Sequence, residues 1–266
     1  MPIEITDPDD ARTAPYRQLR DARLRRRFEA DQGVFVVEGL RTLRILLVSR
    51  WPLLSVLLRP GRLAGLGDVV DEAERRGAPV YVAEPACFDS IAGFPVHRGV
   101  LALGGRLPLP ELRTILVGVD AVVVVEGVND HENLGAIFRN AAALGAGAVL
   151  LDPSSCDPLY RRSIRVSVGQ VLRVPFSRLS PWPAALADLT ESGFPVVALD
   201  PHAGQTLDSV AAGPRLALMV GSEGSGLSGA ALAHATHRVR IPMANGADSL
   251  NVATALAIAL HRLLPR

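Results

Sequence analysis

The pattern of apolar and polar residues from residue 107 onward predicts buried strands separated by helices. The runs AVVVVEGV, GAVLLD, PVVALD and RLALMVGS are rich in Val, Leu and Ala and show little alternation. Strands that are buried on both faces of a parallel sheet have this composition. Helical patterns separate the runs, so we predict a doubly wound α/β domain whose ligand binds beyond the carboxyl ends of the strands.

The segment before residue 107 also alternates between strand and helix patterns. Val34–Val37 has the β-branched and aromatic composition of a strand, and Gly39–Val48 carries leucines at helical spacing. PVYVA and GVLALGG predict two further strands. The stretch Gly104–Glu111, GGRLPLPE, contains two glycines and two prolines and is typical of a linker. We therefore predict a smaller α/β domain over residues 1–106 and a second domain over residues 107–266.

The charged residues limit the kinds of reaction and ligand that the protein can support. The net charge of the 266 residues is only +1, and all 28 basic side chains are arginine. Without lysine, Schiff-base chemistry and a standard phosphate-binding P-loop are disfavoured. Arginine grips phosphate through paired donors, which suits a nucleic-acid backbone, although a GC-rich coding bias would produce the same composition.

The segment YRQLRDARLRRRF, from Tyr16 to Phe28, concentrates positive charge against the single acid Asp21. Leu19, Leu24 and Phe28 share part of one helical face, so the spacing predicts an amphipathic helix with a basic side. A solvated helix face is the alternative interpretation. The arginines of this segment are Arg17, Arg20, Arg23, Arg25, Arg26 and Arg27.

Metal and membrane signals are weak. Cys87 and Cys156 are far apart, and the six histidines form no ligand-spaced cluster with them, so we expect no metal site. The amino terminus is polar, and no apolar run approaches the roughly 18 to 20 residues of a membrane span. We expect a soluble cytoplasmic protein with no membrane partner.

A first polar segment, EGVNDHENLGAIFRNAAALGAGAVLL, joins a strand to a helix. Asn129–Asn133 supplies capping residues, and Gly145 is a suitable carboxyl-terminal stop. Asn133 and Arg139 lie at the mouth of this strand–helix crossover and are candidates for contact with a ligand. The alternative is a helix cap and a surface arginine.

A second segment, LALMVGSEGSGLS, takes a buried strand, Leu216–Val220, into a glycine-rich loop. The glycines permit positive φ and close approach of a ligand to the backbone. The loop lacks the GxGxxG order of a dinucleotide fold, and Glu223 would repel a pyrophosphate. A nicotinamide-dependent oxidoreductase is therefore disfavoured.

A third segment, VRIPMANGADSLNVATALAIALHRLL, predicts a short strand at Val239–Ile241, a loop, and a helix from the cap Ser249 to about Leu264. The helix is apolar nearly all round, so we expect it to be buried in the core or against another subunit. The start of the helix carries a polar cluster of Asn245, Asp248, Ser249 and Asn251.

In this order, NLGAIFRNAAALG, MVGSEGSGLS and IPMANGADSLNVATALAIAL closely resemble the three motifs of the SpoU (TrmH) family of SPOUT methyltransferases. CDPLYRRSIRVSVGQVLRVPF is similar to the branch with ribosomal RNA and antibiotic-resistance methyltransferases. LRDARLRRRFEADQGVFVVEGLRTLR and HRGVLAL resemble the substrate-binding domain of these enzymes. A departure is Ala253 and Thr254 after SLNV, where many relatives have other small residues, which bears on pocket specificity.

The resemblance implies an α/β fold: a parallel-sheet SPOUT domain with a carboxyl-terminal trefoil knot, which is a rare exception among folds, preceded by a smaller α/β RNA-binding domain. It implies a homodimer and S-adenosylmethionine as cofactor, held largely by main-chain groups. The corresponding cofactor contacts are Val220, Gly221, Glu223, Gly226, Ile241, Met243, Ser249 and Leu250. The corresponding active-site residues are Asn133, Arg139, Glu223, Ser249 and Asn251.

The implied reaction is methylation of a ribose 2′-hydroxyl, with ribosomal RNA favoured by the sizeable amino-terminal domain. Because arginine is almost never neutral, we expect Arg139 to orient the ribose or its phosphate and stabilise developing negative charge rather than act as a base. The arginines of Arg17–Arg27 are expected to contact RNA phosphates. The alternatives are a transfer RNA substrate and a non-catalytic RNA-binding or assembly factor with the same fold.

Overall fold

The structure, a computed structural model, describes residues 1–211, 213–244 and 248–264, without the side chains of Ala22, Arg23 and Arg26. The chain divides into two units. The first unit comprises Met1–Pro108 and Leu159–Arg173, and the second comprises Leu109–Pro158 and Val174–Arg266.

Strands and helices alternate along most of the described chain. The strands are β1 Ile3–Ile5, β2 Val34–Glu38, β3 Leu53–Leu58, β4 Val80–Ala83, β5 Val100–Gly105, β6 Ala121–Val125, β7 Ala148–Leu151, β8 Phe176–Arg178, β9 Val196–Leu199, β10 Gln205–Thr206, β11 Leu216–Val220 and β12 His237–Arg240. The helices are α1 Ala22–Asp31, α2 Leu40–Val48, α3 Pro60–Leu63, α4 Gly67–Arg75, α5 Pro85–Ala92, α6 Leu112–Ile115, α7 His131–Leu144, α8 Arg161–Val166, α9 Leu186–Glu191, α10 Gly229–Leu232 and α11 Val252–Leu263. Short 3-10 helices occupy Ala11–Tyr16, Gln170–Leu172 and Leu207–Ser209.

The first unit is built on a mixed sheet in the order β1-β4-β3-β5-β2, in which β5 runs antiparallel to both of its neighbours. Phe35 lies in the centre of this unit with no exposed surface. A Cβ at Gly104 would come within 2.3 Å of the Phe35 ring, so this strand position admits only glycine. Gly104 and Gly105 therefore belong to β5, and the connection to the second unit begins after them.

The predicted basic helix begins later than the apolar spacing indicated. Tyr16 ends a 3-10 helix and is fully buried, with its hydroxyl 2.7 Å from Ser55 Oγ. Gln18 has a φ of 55°, a value through which a right-handed helix cannot continue. The α-helix starts at Ala22, which corrects the start expected at Tyr16.

Leu159–Arg173 lies between β7 and β8 in the sequence but belongs to the first unit. Arg161 Nη1 lies 2.5 Å from Glu38 Oε2, and Arg161 Nη2 donates to the carbonyl of Leu19 at 3.3 Å. A Cβ at Gly169 would lie 2.9 Å from Ile45 Cδ1. This close packing holds the segment against the β2–α2 region.

The second unit contains a parallel sheet in the order β10-β12-β9-β11-β6-β7-β8. The strands Ala121–Val125 and Leu216–Val220 are buried along their whole length, as the unbroken apolar runs predicted. Val220 pairs with Val125 in the register of these neighbours, so the loops after both strands leave the same edge of the sheet. The parallel α/β class predicted from the sequence is confirmed. The path of a trefoil knot stays a prediction.

Two long helices, α7 and α11, pack against each other in the second unit. Asp130 caps α7 by accepting hydrogen bonds from the amides of Glu132 and Asn133, and Gly145 ends the helix with a φ of 90°. Asn251, rather than the expected Ser249, caps α11, because its side-chain oxygen accepts from the amides of Ala253 and Thr254. Within the described residues, no helix is both long and apolar enough to cross a membrane.

Candidate active site

A cavity of about 460 Å³ opens at the carboxyl ends of β9, β11 and β12 in the second unit. It is lined by the ends of these strands, by the loops that follow them and by the start of α11. All eight expected cofactor contacts line it: Val220, Gly221, Glu223, Gly226, Ile241, Met243, Ser249 and Leu250. The other lining residues are Leu199, Asp200, Pro201, Ser222, Gly224, Val239, Arg240, Asn251, Val252 and Ala255.

The glycine-rich loop after β11 folds back on itself to form one wall. A Cβ at Gly221 would lie 2.3 Å from the carbonyl carbon of Gly226, so any side chain there would collide with main chain. Gly224 and Gly226 have φ values of 96° and 65°, which favour glycine. Ser222 and Gly226 form an isolated bridge that closes the turn. The wall that faces the cavity is consequently rich in main-chain groups.

A buried acid, Glu126, anchors the far end of this loop. Its carboxylate is 9% exposed and accepts hydrogen bonds from the amide and hydroxyl of Ser228, both at 2.7 Å. Trp182 Nε1 donates to the same carboxylate at 2.8 Å. Glu126 is not among the predicted site residues, although an acid directly after the buried run AVVVV is a signal for it.

Three polar side chains from distant parts of the sequence meet at the edge of the cavity. Asn251 Nδ2 donates to Asn133 Oδ1 and to Glu223 Oε1, both at 2.7 Å. The oxygen of the same amide caps α11, so its orientation is fixed from both sides. We call Asn133, Glu223 and Asn251 the polar cluster. Ser249, the fourth expected active-site residue at this edge, lines the cavity but has no hydrogen bond to a described residue.

Arg139 lies outside the polar cluster. It is exposed on α7 and does not line the cavity, and its side chain has no hydrogen bond to any residue that the structure describes. Asn133 and Asn140 are seven residues apart and therefore lie on one helix face, where Asn140 Nδ2 donates to the carbonyl of Ala253 at 2.7 Å. Arg139 precedes Asn140 and points about 100° away from that face.

Asp200 is a buried acid in the cavity wall, with 7% exposure. It accepts hydrogen bonds from Arg238 Nη2 at 2.8 Å and from the amide of His202 at 2.9 Å. Burial alone would raise the pKa of the Asp200 carboxyl, but these hydrogen bonds outweigh it and lower the pKa below its ordinary value of 3.8. Asp200 therefore contributes negative charge to the cavity. Among the described residues, no group of His, Cys, Asp and Glu side chains is arranged to hold a metal.

The arginines of the predicted RNA-binding segment have different surroundings. Arg25 is 3% exposed, and its guanidinium donates to Glu29 Oε1 at 2.9 Å and to the carbonyl of Pro15 at 2.9 Å. It is committed to contacts inside the protein, so we leave it out of the proposed RNA surface. Arg17 donates to the carbonyl of Asp10, and Arg20 stacks on Phe94. The Arg27 side chain is 86% exposed, while the side chains of Arg23 and Arg26 lie outside the described residues.

A parallel α/β sheet with a cavity beyond its strand ends, walled by a glycine-rich loop, is the architecture of a ligand-binding α/β domain. Residues 120–261 match the SpoU rRNA Methylase family, and residues 36–106 match RNA 2′-O ribose methyltransferase substrate binding. The chain belongs to the SpoU methylase family. It is an RNA methyltransferase that takes its methyl group from S-adenosylmethionine.

Individual relatives agree with this assignment. An uncharacterized tRNA/rRNA methyltransferase of Mycobacterium tuberculosis is 43% identical over 262 residues, which cover 97% of this chain and 90% of the relative. The 23S rRNA (guanosine-2′-O-)-methyltransferase RlmB of Bordetella pertussis is 30% identical over 202 residues, which cover 72% of this chain and 80% of RlmB. The SpoU methyltransferase AviRb of Streptomyces viridochromogenes, solved in complex with AdoMet, has the same fold, with a TM-score of 0.81, 24% identity and coverage of 96% and 97%.

Proposed function

We propose that this enzyme methylates a ribose 2′-hydroxyl of ribosomal RNA, with the polar cluster as the part of its active site that binds the hydroxyl. The observation that carries the proposal is the convergence of Asn133, Glu223 and Asn251 at the edge of the cavity. These residues are separated by up to 118 positions in the sequence. A purely structural role in capping α11 would need only the oxygen of Asn251, not its bonds to the other two side chains.

The cavity residues suit S-adenosylmethionine. The volume of 460 Å³ lies within the range of about 300 to 1,000 Å³ of small-molecule sites. Leu199, Val220 and Ile241 provide apolar surface, and the main chain around Gly221 provides hydrogen-bonding groups. Glu223 suits a cationic ligand. When bound, the cofactor supplies an already activated methyl group on a sulfonium.

The enzyme must then align a weak nucleophile and hold its proton. Both N–H groups of Asn251 are used within the polar cluster, and only Oε1 of Glu223 accepts from a described residue. We assign to Glu223 Oε2 the hydrogen bond from the 2′-hydroxyl, and to Asn133 Nδ2 a donor contact with the hydroxyl oxygen. Asn251 keeps these two side chains in register.

Arg139 acts on the RNA in this proposal rather than on the cofactor. Its exposed guanidinium, free of hydrogen bonds to the described residues, is available to a ribose phosphate. Arginine stays protonated, so it orients the substrate and stabilises negative charge that develops on the ribose oxygen. An Arg139→Ala variant tests this role. We expect calorimetry to show intact S-adenosylmethionine binding, while methyl transfer to RNA is lost.

We further propose that the enzyme works as a homodimer through α11. Ile258 on this helix is 40% exposed and, with Leu144 and Ala257, lines a largely apolar groove. Burial of this groove against a second copy would remove apolar surface from water. Light scattering of an Ile258→Asp variant tests the proposal, because it is expected to be monomeric. Val117→Asp is the control, since Val117 is 79% exposed elsewhere in the same unit.

We favour ribosomal RNA over transfer RNA as the substrate. The proposed place of the reaction is the cytoplasm. Support comes from the similarity to a 23S rRNA methyltransferase and from the match of residues 120–261 to the SpoU rRNA Methylase family. Mass-spectrometric mapping of ribose methylation, in RNA from cells with and without the protein, tests this choice. Loss of a 2′-O-methyl group from ribosomal RNA is expected. Loss confined to transfer RNA would contradict the choice of substrate.

A further inference from the structure

A second cavity, in the first unit, has an unusual distribution of charge. Its volume is about 380 Å³. Three arginines line it, and none of the described residues that line it is acidic. The lining residues are Leu40, Arg41, Gly61, Arg62, Gly65, Leu66, Arg98 and Val100. We call it the arginine pocket. Arg41 lies in the first turn of α2, Arg62 lies in α3 and Arg98 precedes β5, so three separate segments bring these side chains together.

The pocket arginines differ from the other arginines nearby. Arg44 donates to Asp68 at 3.0 Å, and Arg59 and Asp89 lie 2.5 Å apart. The side chains of Arg41, Arg62 and Arg98, in contrast, have no hydrogen bond or ion pair with any residue in the described part of the chain. All three are exposed. Their five-donor guanidinium groups are therefore available to a ligand.

The amino terminus of α2 adds to the positive potential of the pocket. Gly39 is its N-cap, with a φ of 91° and no side chain to cap the first amides. Arg98 packs directly on this glycine, because a Cβ at Gly39 would lie 3.0 Å from Arg98 Cδ and 3.1 Å from its Nη1. A guanidinium held against the positive end of a helix is unfavourable in isolation. An anion in the pocket would convert this repulsion into attraction.

We propose that the arginine pocket binds a backbone phosphate of the RNA substrate. The proposal rests on the proposed function, since it specifies how the first unit holds RNA. Three guanidinium groups and helix amides offer paired donors to a tetrahedral anion. Gly61 and Gly65 leave open space, because a Cβ at either position would find no atom within 4 Å. The pocket also lies wholly within residues 36–106, which match the substrate-binding family.

The first experiment removes charge from the pocket. The full-length Arg62→Ala/Arg98→Ala variant is titrated into a fluorescein-labelled fragment of 23S ribosomal RNA at several salt concentrations. We expect RNA affinity to fall about tenfold, as for loss of one charge-assisted phosphate contact. The slope of log affinity against log salt should flatten by about 0.7 to 0.9 for that contact. The control Arg44→Ala/Arg75→Ala removes the same charge from ion-paired surface positions of the same unit.

Equal losses in the two double variants would overturn the proposal, because the effect would then be one of total charge. Unchanged affinity in the pocket variant would also overturn it. Titration of S-adenosylmethionine into the same variants separates this failure from failure of the proposed function. If the pocket variant binds both the cofactor and the RNA as tightly as the wild type, only the phosphate site is contradicted and the proposed function stands. If the wild-type protein binds no RNA, both the phosphate site and the proposed function are contradicted.

A second pair of variants fills the pocket without removing an arginine. Gly65 has no positive φ, so a side chain fits there, and Gly65→Asp would place a carboxylate beside the guanidinium groups. We expect Gly65→Asp to weaken RNA binding about tenfold without lowering the melting temperature, since the new carboxylate occupies the place of the phosphate. Gly65→Asn, of the same size but neutral, should bind RNA nearly as wild type. Equal behaviour of the two variants would contradict a phosphate site.

Discussion

The side chain of Asn251 both caps a helix and connects the polar cluster, and one substitution separates these two roles. Its oxygen caps α11, and its Nδ2 donates to Asn133 and Glu223. Asn251→Asp keeps an oxygen for the cap but turns the donor into a second oxygen, which faces two acceptors at 2.7 Å. We therefore predict that the variant folds as wild type but loses the arrangement of the polar cluster.

The size of each effect follows from these contacts. A hydrogen bond to a charged group contributes about 1.5 to 3 kcal/mol, and 1.4 kcal/mol is a factor of ten. Because the cluster is exposed, we take the lower end and predict at least about a tenfold fall in kcat/KM. Stability should change by less than about 0.5 kcal/mol in Asn251→Asp, whereas Asn251→Ala also loses the cap and about 1 kcal/mol.

The assay is incorporation of tritiated methyl groups into ribosomal RNA, combined with thermal melts followed by circular dichroism. Asn140→Asp is the matched control, because Asn140 donates to the carbonyl of Ala253 on the same helix pair but does not line the cavity. It should lower the melting temperature and keep turnover below that temperature. Wild-type turnover in Asn251→Asp would refute the reasoning and return the cluster to a structural role.

Three further predictions concern the cofactor cavity, a buried ion pair and pH. Gly221→Ala should abolish cofactor binding in calorimetry, because its Cβ would meet the Gly226 carbonyl carbon at 2.3 Å, whereas Gly229→Ala finds open space and should bind normally. Arg25→Ala should cost about 1.5 to 3 kcal/mol in urea unfolding, because it removes the charge-assisted hydrogen bond to the buried carboxylate of Glu29, while exposed Arg27→Ala should cost under about 0.5 kcal/mol. Burial would raise the pKa of the Asp152 carboxyl, but hydrogen bonds from Ser154 and Ser155 outweigh it and lower the pKa. The stability that Asp152 contributes is therefore complete above its ordinary pKa of 3.8 and is lost as the pH falls through the pKa of the folded state. Thermal melts of Asp152→Asn should consequently depend less on acid pH than those of the wild type.

The second unit was largely predictable because its signals are local. A strand buried on both faces, such as Ala121–Val125, must be apolar at every position, and the resulting run is visible in the sequence. Gly145 was identified as a helix stop because few other residues adopt a positive φ there. The three motifs then indicated which loops meet at one edge of the sheet.

The remaining features depend on contacts between distant segments. A surplus of arginines did not distinguish Arg25, which is buried against Glu29, from exposed Arg27. The cap of α11 is Asn251 rather than Ser249, and the choice between two good capping residues depends on the path of the loop before them. Packing of Leu159–Arg173 with the first unit is likewise not encoded in sequence order.

The most direct test of the central claim is the chemical position of the transferred methyl group. Purified enzyme, tritiated S-adenosylmethionine and ribosomal RNA from cells that lack the protein are incubated together, and the RNA is then hydrolysed in alkali. A 2′-O-methyl group blocks cleavage of the adjacent phosphodiester, so the account predicts label in alkali-resistant dinucleotides, and none with the Gly221→Ala variant. Label in ordinary mononucleotides, which would mark a methylated base, or no label at all would contradict it.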